Sequence, residues 1–140
     1  MDKFDQMEAQ ANQVSVKVLT TYLPSHSNPE DDHYTFAYTI TISNNSDVPV
    51  QLLSRHWIIT DADNQVQEVR GEGVVGEQPV IAPGKFFRYT SGTTMETAVG
   101  FMEGSYTMIS IASEGEDQDA MGTFDVPIQP FSLHIPNALH

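Results

Sequence analysis

The chain of 140 residues contains no cysteine. That excludes a disulfide framework, a thiolate nucleophile and a zinc–thiolate centre. It suits a reducing compartment, and a cytoplasmic location is the expectation. Basic residues are scarce. Six Lys and Arg stand against nineteen Asp and Glu, for a formal net charge of −13. Such a chain repels nucleic acid and anionic membrane surfaces, so neither is an expected partner. Long apolar runs are missing as well; none nears the roughly 20 residues of a membrane-spanning helix. The opening MDKFDQMEAQANQ has neither the basic start nor the apolar stretch of a signal peptide. No segment sustains a 3.6-residue apolar repeat, which argues against amphipathic helices.

Period-2 patterning takes its place. Tyr34, Phe36, Tyr38, Ile40 and Ile42 alternate with Thr35, Ala37, Thr39, Thr41 and Ser43, a strand with one apolar face. Val14, Val16 and Val18 repeat the pattern more weakly. The run Val48 to Thr60 is apolar on both parities, with Leu53, Trp57 and Ile59 on one and Val50, Leu52 and Ile58 on the other. A strand of that kind is central, covered by a loop, or part of an oligomer interface, and a homodimer is the expectation. Further strands are expected at Gln65 to Arg70, Phe86 to Ser91, Ser105 to Ala112 and Met121 to Val126. Pro127 and Pro130 demote the last to an edge or split it. Turns are read at Asn44 to Asp47, Asp61 to Asn64 and Ile81 to Gly84. Ser113 to Asp119 reads as an acidic loop. Seven or eight such strands describe an all-β, antiparallel sandwich of the immunoglobulin or fibronectin type III kind. Gly104-Ser105-Tyr106 reads as the tyrosine corner of such domains, with Met108 where a disulfide cysteine would stand.

Gly71-Glu72-Gly73-Val74-Val75-Gly76 has the spacing of a phosphate-binding loop. A dinucleotide fingerprint requires a helix after the glycines, but Pro79 and Pro83 follow. Read as a P-loop, the motif puts Glu77 where lysine belongs. A structural turn is the better account, with a small backbone anion nest as the alternative. In that alternative Gly71, Gly73 and Gly76 hold a nucleotide or pyrophosphate. Arg55 and Arg70, together with Lys85 and Arg88, are its candidate cations. Alternation puts His56 on the opposite face from Arg55 and Trp57, so the three cannot share one ligand. Trp57 is expected in the core, with Arg55 stacked or ion-paired.

Metal ligation has one candidate cluster, Glu30, Asp31, Asp32 and His33, with His26 nearby. Its spacing fixes no geometry, so a solvated acidic loop is the competing account. Asp61, Asp63, Gln65 and Glu72 match ligand positions of a calcium loop, but Val66 stands where glycine is required; a hairpin turn is expected instead. The histidines are scattered, no nucleophile elbow or H-E-x-x-H helix is present, and no cofactor is implied.

Several longer runs carry a family likeness. They are FAYTITI from Phe36, VQLLSRHW from Val50, EVRGEGVVG from Glu68, IAPG from Ile81, YTSG from Tyr89, FDVPI from Phe124 and FSL from Phe131. In this order they closely resemble the bacterial ApaG family, also called CorD, over roughly Val14 to Ile135. The resemblance implies a fibronectin type III-like sandwich forming one domain over residues 13–136. Polar tails at 1–12, expected to be flexible, and at 137–140 flank it. It also implies a non-enzymatic binding or regulatory module with an unidentified protein partner, linked to cobalt and magnesium homeostasis. Similar domains in eukaryotic F-box proteins look like protein-interaction modules. The family's glycine loop has been proposed to bind nucleotide or pyrophosphate, which keeps a phosphate binder, with or without phosphatase activity, as the alternative. No catalytic residue carries across. Ala98 replaces a usual proline, and Asp63-Asn64 replaces a glycine-containing turn.

Overall fold

A computed structural model describes residues 13–111 and 122–136. The acidic run Ser113 to Asp119 and the two tails lie outside the described residues. The described chain forms eight strands and two short 3-10 turns. The strands are β1 (Val14–Tyr22), β2 (Tyr34–Asn44), β3 (Val50–Asp61), β4 (Val66–Glu72), β5 (Val80–Ile81), β6 (Phe86–Met95), β7 (Val99–Ser110) and β8 (Thr123–His134). All pairings between strands are antiparallel. One sheet has the order β1-β2-β6; the other has β4-β3-β7-β8, with β5 added to β3. The expected sandwich is therefore present.

The alternation in β2 sets the first sheet. Phe36, Tyr38, Ile40 and Ile42 are buried, while the threonines between them lie on the outer face. From the second sheet Leu52, Trp57, Met102, Tyr106, Met108 and Leu133 close the core. Each large side chain removed from water this way contributes about 1.5–3 kcal/mol. Met108 is wholly buried, opposite Leu52 in the neighbouring strand of the same sheet.

The two-faced apolar pattern of β3 has a local cause. Its register against β7 runs from Leu52 opposite Met108 to Ser54 opposite Thr107, leaving Leu53 without a partner. This β-bulge shifts the parity of the strand by one. Val50 and Leu52 before it and Trp57 and Ile59 after it are all buried in the same core. The second apolar face that motivated a dimer is thus one face read across a bulge.

The turns behave as their residues require. Lys85 N–H donates to Ala82 O at 3.0 Å around Pro83-Gly84, and Gly84 has φ 75°, the type II geometry. Asp61 accepts backbone N–H bonds from Asp63 and Gln65, both at 2.9 Å, closing the β3–β4 hairpin. β8 continues through Pro127 and Pro130 because it is an edge strand, with a register shift near Pro130. The tyrosine corner is not formed. Tyr106 lies mid-strand and fully buried, and its hydroxyl pairs with that of Tyr89 across the sheets at 2.5 Å rather than with a nearby backbone group.

Candidate functional site

The glycine segment closes the bulge. Gly73 N–H donates to the Leu53 carbonyl at 2.8 Å, and Gln78 Nε2 donates to the same oxygen at 2.9 Å. Val74 and Glu77 exchange backbone bonds at 2.8 and 2.9 Å, so Val75 and Gly76 form a two-residue hairpin tip. Both have positive φ, 44° and 81°, as a type I′ turn demands. The amides of Gly73, Val74 and Glu77 are therefore committed to carbonyls of the chain itself. The motif is a structural hairpin, and the candidate backbone nest has lost three of its donors.

Arg55 reaches this hairpin from below. Its Nη1 donates to the carbonyls of Glu72 at 3.1 Å and Gly73 at 2.9 Å. Gly71 stands opposite Arg55 in the strand register, and a Cβ there would lie 2.7 Å from Nη1. The absent side chain is what lets the guanidinium lie flat against β4. Arg55 has no carboxylate partner among the described residues; of the two settings expected for it, stacked or ion-paired, the ion pair is not formed and carbonyl bonds take its place.

Beside Arg55 a pocket of about 290 Å³ opens between the sheets, lined by Tyr38, Arg55, Trp57, Tyr89, Ser91 and the hairpin residues Glu72 and Val74 to Gly76. Trp57 is buried, with Tyr38, Phe131 and Tyr106 ring centres 5.5, 5.9 and 6.1 Å away. Its indole Nε1 is buried without an acceptor. Desolvation pushes the Tyr89 and Tyr106 phenols well above their ordinary range, so both remain protonated.

Arg70 is not part of this pocket. It pairs in register with His56 on the outer face of the larger sheet, where Glu68 Oε1 accepts from Arg70 Nη2 at 2.9 Å. His56 Nε2 lies 2.7 Å from the same oxygen. The hydrogen bond with His56, then the bond and charge of Arg70, lower the Glu68 carboxyl below its ordinary value. A shallow polar cleft of about 450 Å³ is lined by His56 and Arg70 together with Ser54, Arg55, Gly71, Glu72, Ser105, Thr107 and Asp125. The expected separation holds for His56 and Trp57, whereas Arg55 and His56 both line this cleft.

The acidic loop Glu30, Asp31, Asp32 and His33 is exposed throughout. Asp31 accepts from the Asn28 side chain at 2.8 Å, and Asp32 has φ 57°. Among the described residues no group of three or more His, Cys, Asp or Glu is placed to hold a metal ion. The four side chains are neighbours in sequence but not a coordination shell.

Lys85 and Arg88 belong elsewhere. The outer face of the smaller sheet presents Ser15, Lys17, Leu19 and Thr21 from β1. β2 adds Thr35, Ala37, Thr39, Thr41 and Ser43, and β6 adds Phe86, Arg88, Thr90, Gly92 and Thr94. None of these is acidic, in a chain with nineteen carboxylates. Arg88 Nε donates to Thr41 at 2.9 Å, and its guanidinium lies 4.9 Å from the centre of the Phe86 ring. Lys17 flanks Thr41 on the other side. Lys85 lies in the turn just before β6. Leu19 is 75% exposed and Phe86 57%. Sequence reasoning missed this face, although the signal was there in the small residues alternating along β2. It also missed Tyr38, Tyr89 and Ser91, which meet Arg55 only when the sheets pack.

A family model described as the ApaG domain matches residues 24–110. The chain belongs to the ApaG family. It is 57% identical to Protein ApaG of Pseudomonas aeruginosa strain UCBPP-PA14 over 129 residues, covering 92% of this chain and 96% of that protein. It is 52% identical to Protein ApaG of Azoarcus sp. strain BH72 over 133 residues, covering 95% and 98%. The crystal structure of the putative ApaA protein from Bordetella pertussis is 44% identical, with TM-score 0.80 over 89% of this chain and 95% of that one. The bulge, the hairpin and the outer face thus belong to an ApaG-family sandwich. No helix among the described residues is long and apolar enough to cross a membrane.

Proposed function

We propose that the protein is a non-enzymatic binding and regulatory module that acts by contact with another protein, through the outer face of the β1-β2-β6 sheet. The observation that carries this reading is the exposure of Leu19 and Phe86 beside Lys17 and Arg88, on a face without a carboxylate. An apolar pair of this size gains about 1.5–3 kcal/mol per side chain when covered. The two cations favour an acidic partner segment and disfavour the same face of a second copy, where like charges would meet. The threonine pairs Thr35–Thr94 and Thr39–Thr90, each bonded at 2.8 Å, keep the face flat and pre-ordered. From the resemblance to the ApaG family we assign this contact to divalent-cation handling, cobalt and magnesium above all.

The test is complementation of a strain lacking the gene, scored as growth on cobalt. Wild-type protein restores tolerance. A Leu19→Glu/Phe86→Glu variant that folds and accumulates normally does not. Full restoration by that variant removes the face from the mechanism. If loss and return of the wild-type gene leave cobalt tolerance unchanged, the cation role is wrong.

A further inference from the structure

The pocket between the sheets has a chemistry that the protein-contact reading does not use. Its mouth lies between the β4 edge and the β6 edge, which are joined farther along where Gln67 Nε2 donates to Thr94 O at 3.4 Å. The polar side chains lining it are a guanidinium, an indole, two phenols and a hydroxyl, from Arg55, Trp57, Tyr38, Tyr89 and Ser91. All can donate hydrogen bonds, and two of them can donate only. Glu72 adds its backbone: its carbonyl accepts from Arg55, and its register opposite Ser54 turns its side chain to the outer face.

Two of these donors are unsatisfied. The Trp57 indole N–H is buried with no acceptor among the described residues. Arg55 is half-buried and has only carbonyl acceptors, both on Nη1, which leaves Nε and Nη2 and a full positive charge uncompensated. Convergent donors around an unpaired charge are complementary to an anion. We propose that this pocket binds a small oxyanion, a phosphate or a carboxylate group. Arg55 supplies the charge, the Tyr38 and Ser91 hydroxyls supply neutral donors, the Trp57 ring forms part of the inner wall, and the glycine hairpin forms the outer wall.

The site differs from a phosphate cradle of backbone amides. Here the hairpin positions Arg55 through its carbonyls, and side chains from three other strands make the recognition. Its volume fits one phosphate or carboxylate group with a small substituent and does not fit a whole dinucleotide.

Trp57 is the only tryptophan, so its indole N–H gives a single resonance in a proton–nitrogen correlation spectrum. The experiment titrates the intact protein with sodium phosphate and with sodium acetate, against sodium chloride at matched ionic strength. The expected result is a saturable shift of that resonance with a Kd on the order of 1 mM. Preference for phosphate or for acetate identifies which group the pocket takes. Arg55→Gln weakens binding at least tenfold, while Lys85→Gln, outside the pocket, leaves it unchanged. If Arg55→Gln does not fold, Ser91→Ala combined with Tyr38→Phe replaces it and weakens binding several-fold. An indole resonance that does not move, or that moves equally with chloride or in the pocket variants, overturns the proposal.

Discussion

The guanidinium of Arg55 occupies the space in which a side chain at Gly71 would stand. A Cβ on Gly71 would lie 2.7 Å from Nη1 and 2.8 Å from Cζ. The neighbouring Gly73 has a different constraint: its Cβ would lie against the backbone carbonyl of Glu77, at φ 63°.

These two environments predict unequal losses. In Gly71→Ala the long arginine swings away and its two carbonyl bonds are lost, at about 1–2 kcal/mol. In Gly73→Ala the backbone itself must move from a left-handed conformation, at about 2 kcal/mol or more. Urea denaturation of the two variants beside wild type measures the order. A Gly71→Ala loss larger than that of Gly73→Ala would contradict the geometry.

Val75 is the residue most at odds with its backbone. It is β-branched, half exposed, and has φ 44° at the first tip position of a type I′ turn. Val75→Asn places a residue that favours this conformation and is expected to raise stability by about 1 kcal/mol, seen as a higher melting temperature. A lower melting temperature would mean that the Val75 side chain stabilises the hairpin.

Tyr89 and Tyr106 predict a coupled pair. Their hydroxyls meet at 2.5 Å inside the core. Tyr89→Phe leaves the Tyr106 hydroxyl buried with no partner, at about 1–2 kcal/mol. The double variant Tyr89→Phe/Tyr106→Phe loses both polar groups together and costs less than the sum of the single changes. Additive losses in a double-mutant cycle would show that the hydroxyls act separately.

Glu68 predicts a pH dependence. His56 and Arg70 hold its carboxyl below the ordinary value of 4.5 in the folded protein. A depressed folded value means the unfolded chain takes up its proton first. The stabilisation is therefore complete above that ordinary value and is lost as pH falls through the lower, folded one. Melting temperatures of wild type and Glu68→Gln should differ from neutral pH down to that ordinary value and converge only as pH falls through the lower, folded one. A constant difference across that range would sever the link to the Glu68 proton.

Much of the sandwich was legible in the sequence because alternation along one strand is a local property. β2 carries its core face from Phe36 to Ile42 without interruption. β3 was harder, because one unpaired residue at Leu53 inverts the parity and imitates a strand with two apolar faces. Tyr106 was misplaced for a related reason: the G-x-Y spacing is local, whereas its partner Tyr89 lies on the other sheet. The candidate site was legible only in part. Arg55 and the glycines were named from the motif and do meet, but Arg70 lies outside the inter-sheet pocket and pairs with Glu68. Tyr38, Tyr89 and Ser91 come from strands distant in sequence, and no spacing rule connects them to Trp57.

The bulge at Leu53 also gives β3 two phases within a single strand. Upstream of it the even-numbered residues face inward; downstream the odd-numbered ones do. Were Leu53 instead drawn into a regular ladder with no bulge, the strand could satisfy only half of its length. With Val50 and Leu52 kept in the core, Arg55 would turn to solvent and His56 would point at the phenols. The glycine hairpin, by bonding the Leu53 carbonyl from two sides, acts as the lock on that phase.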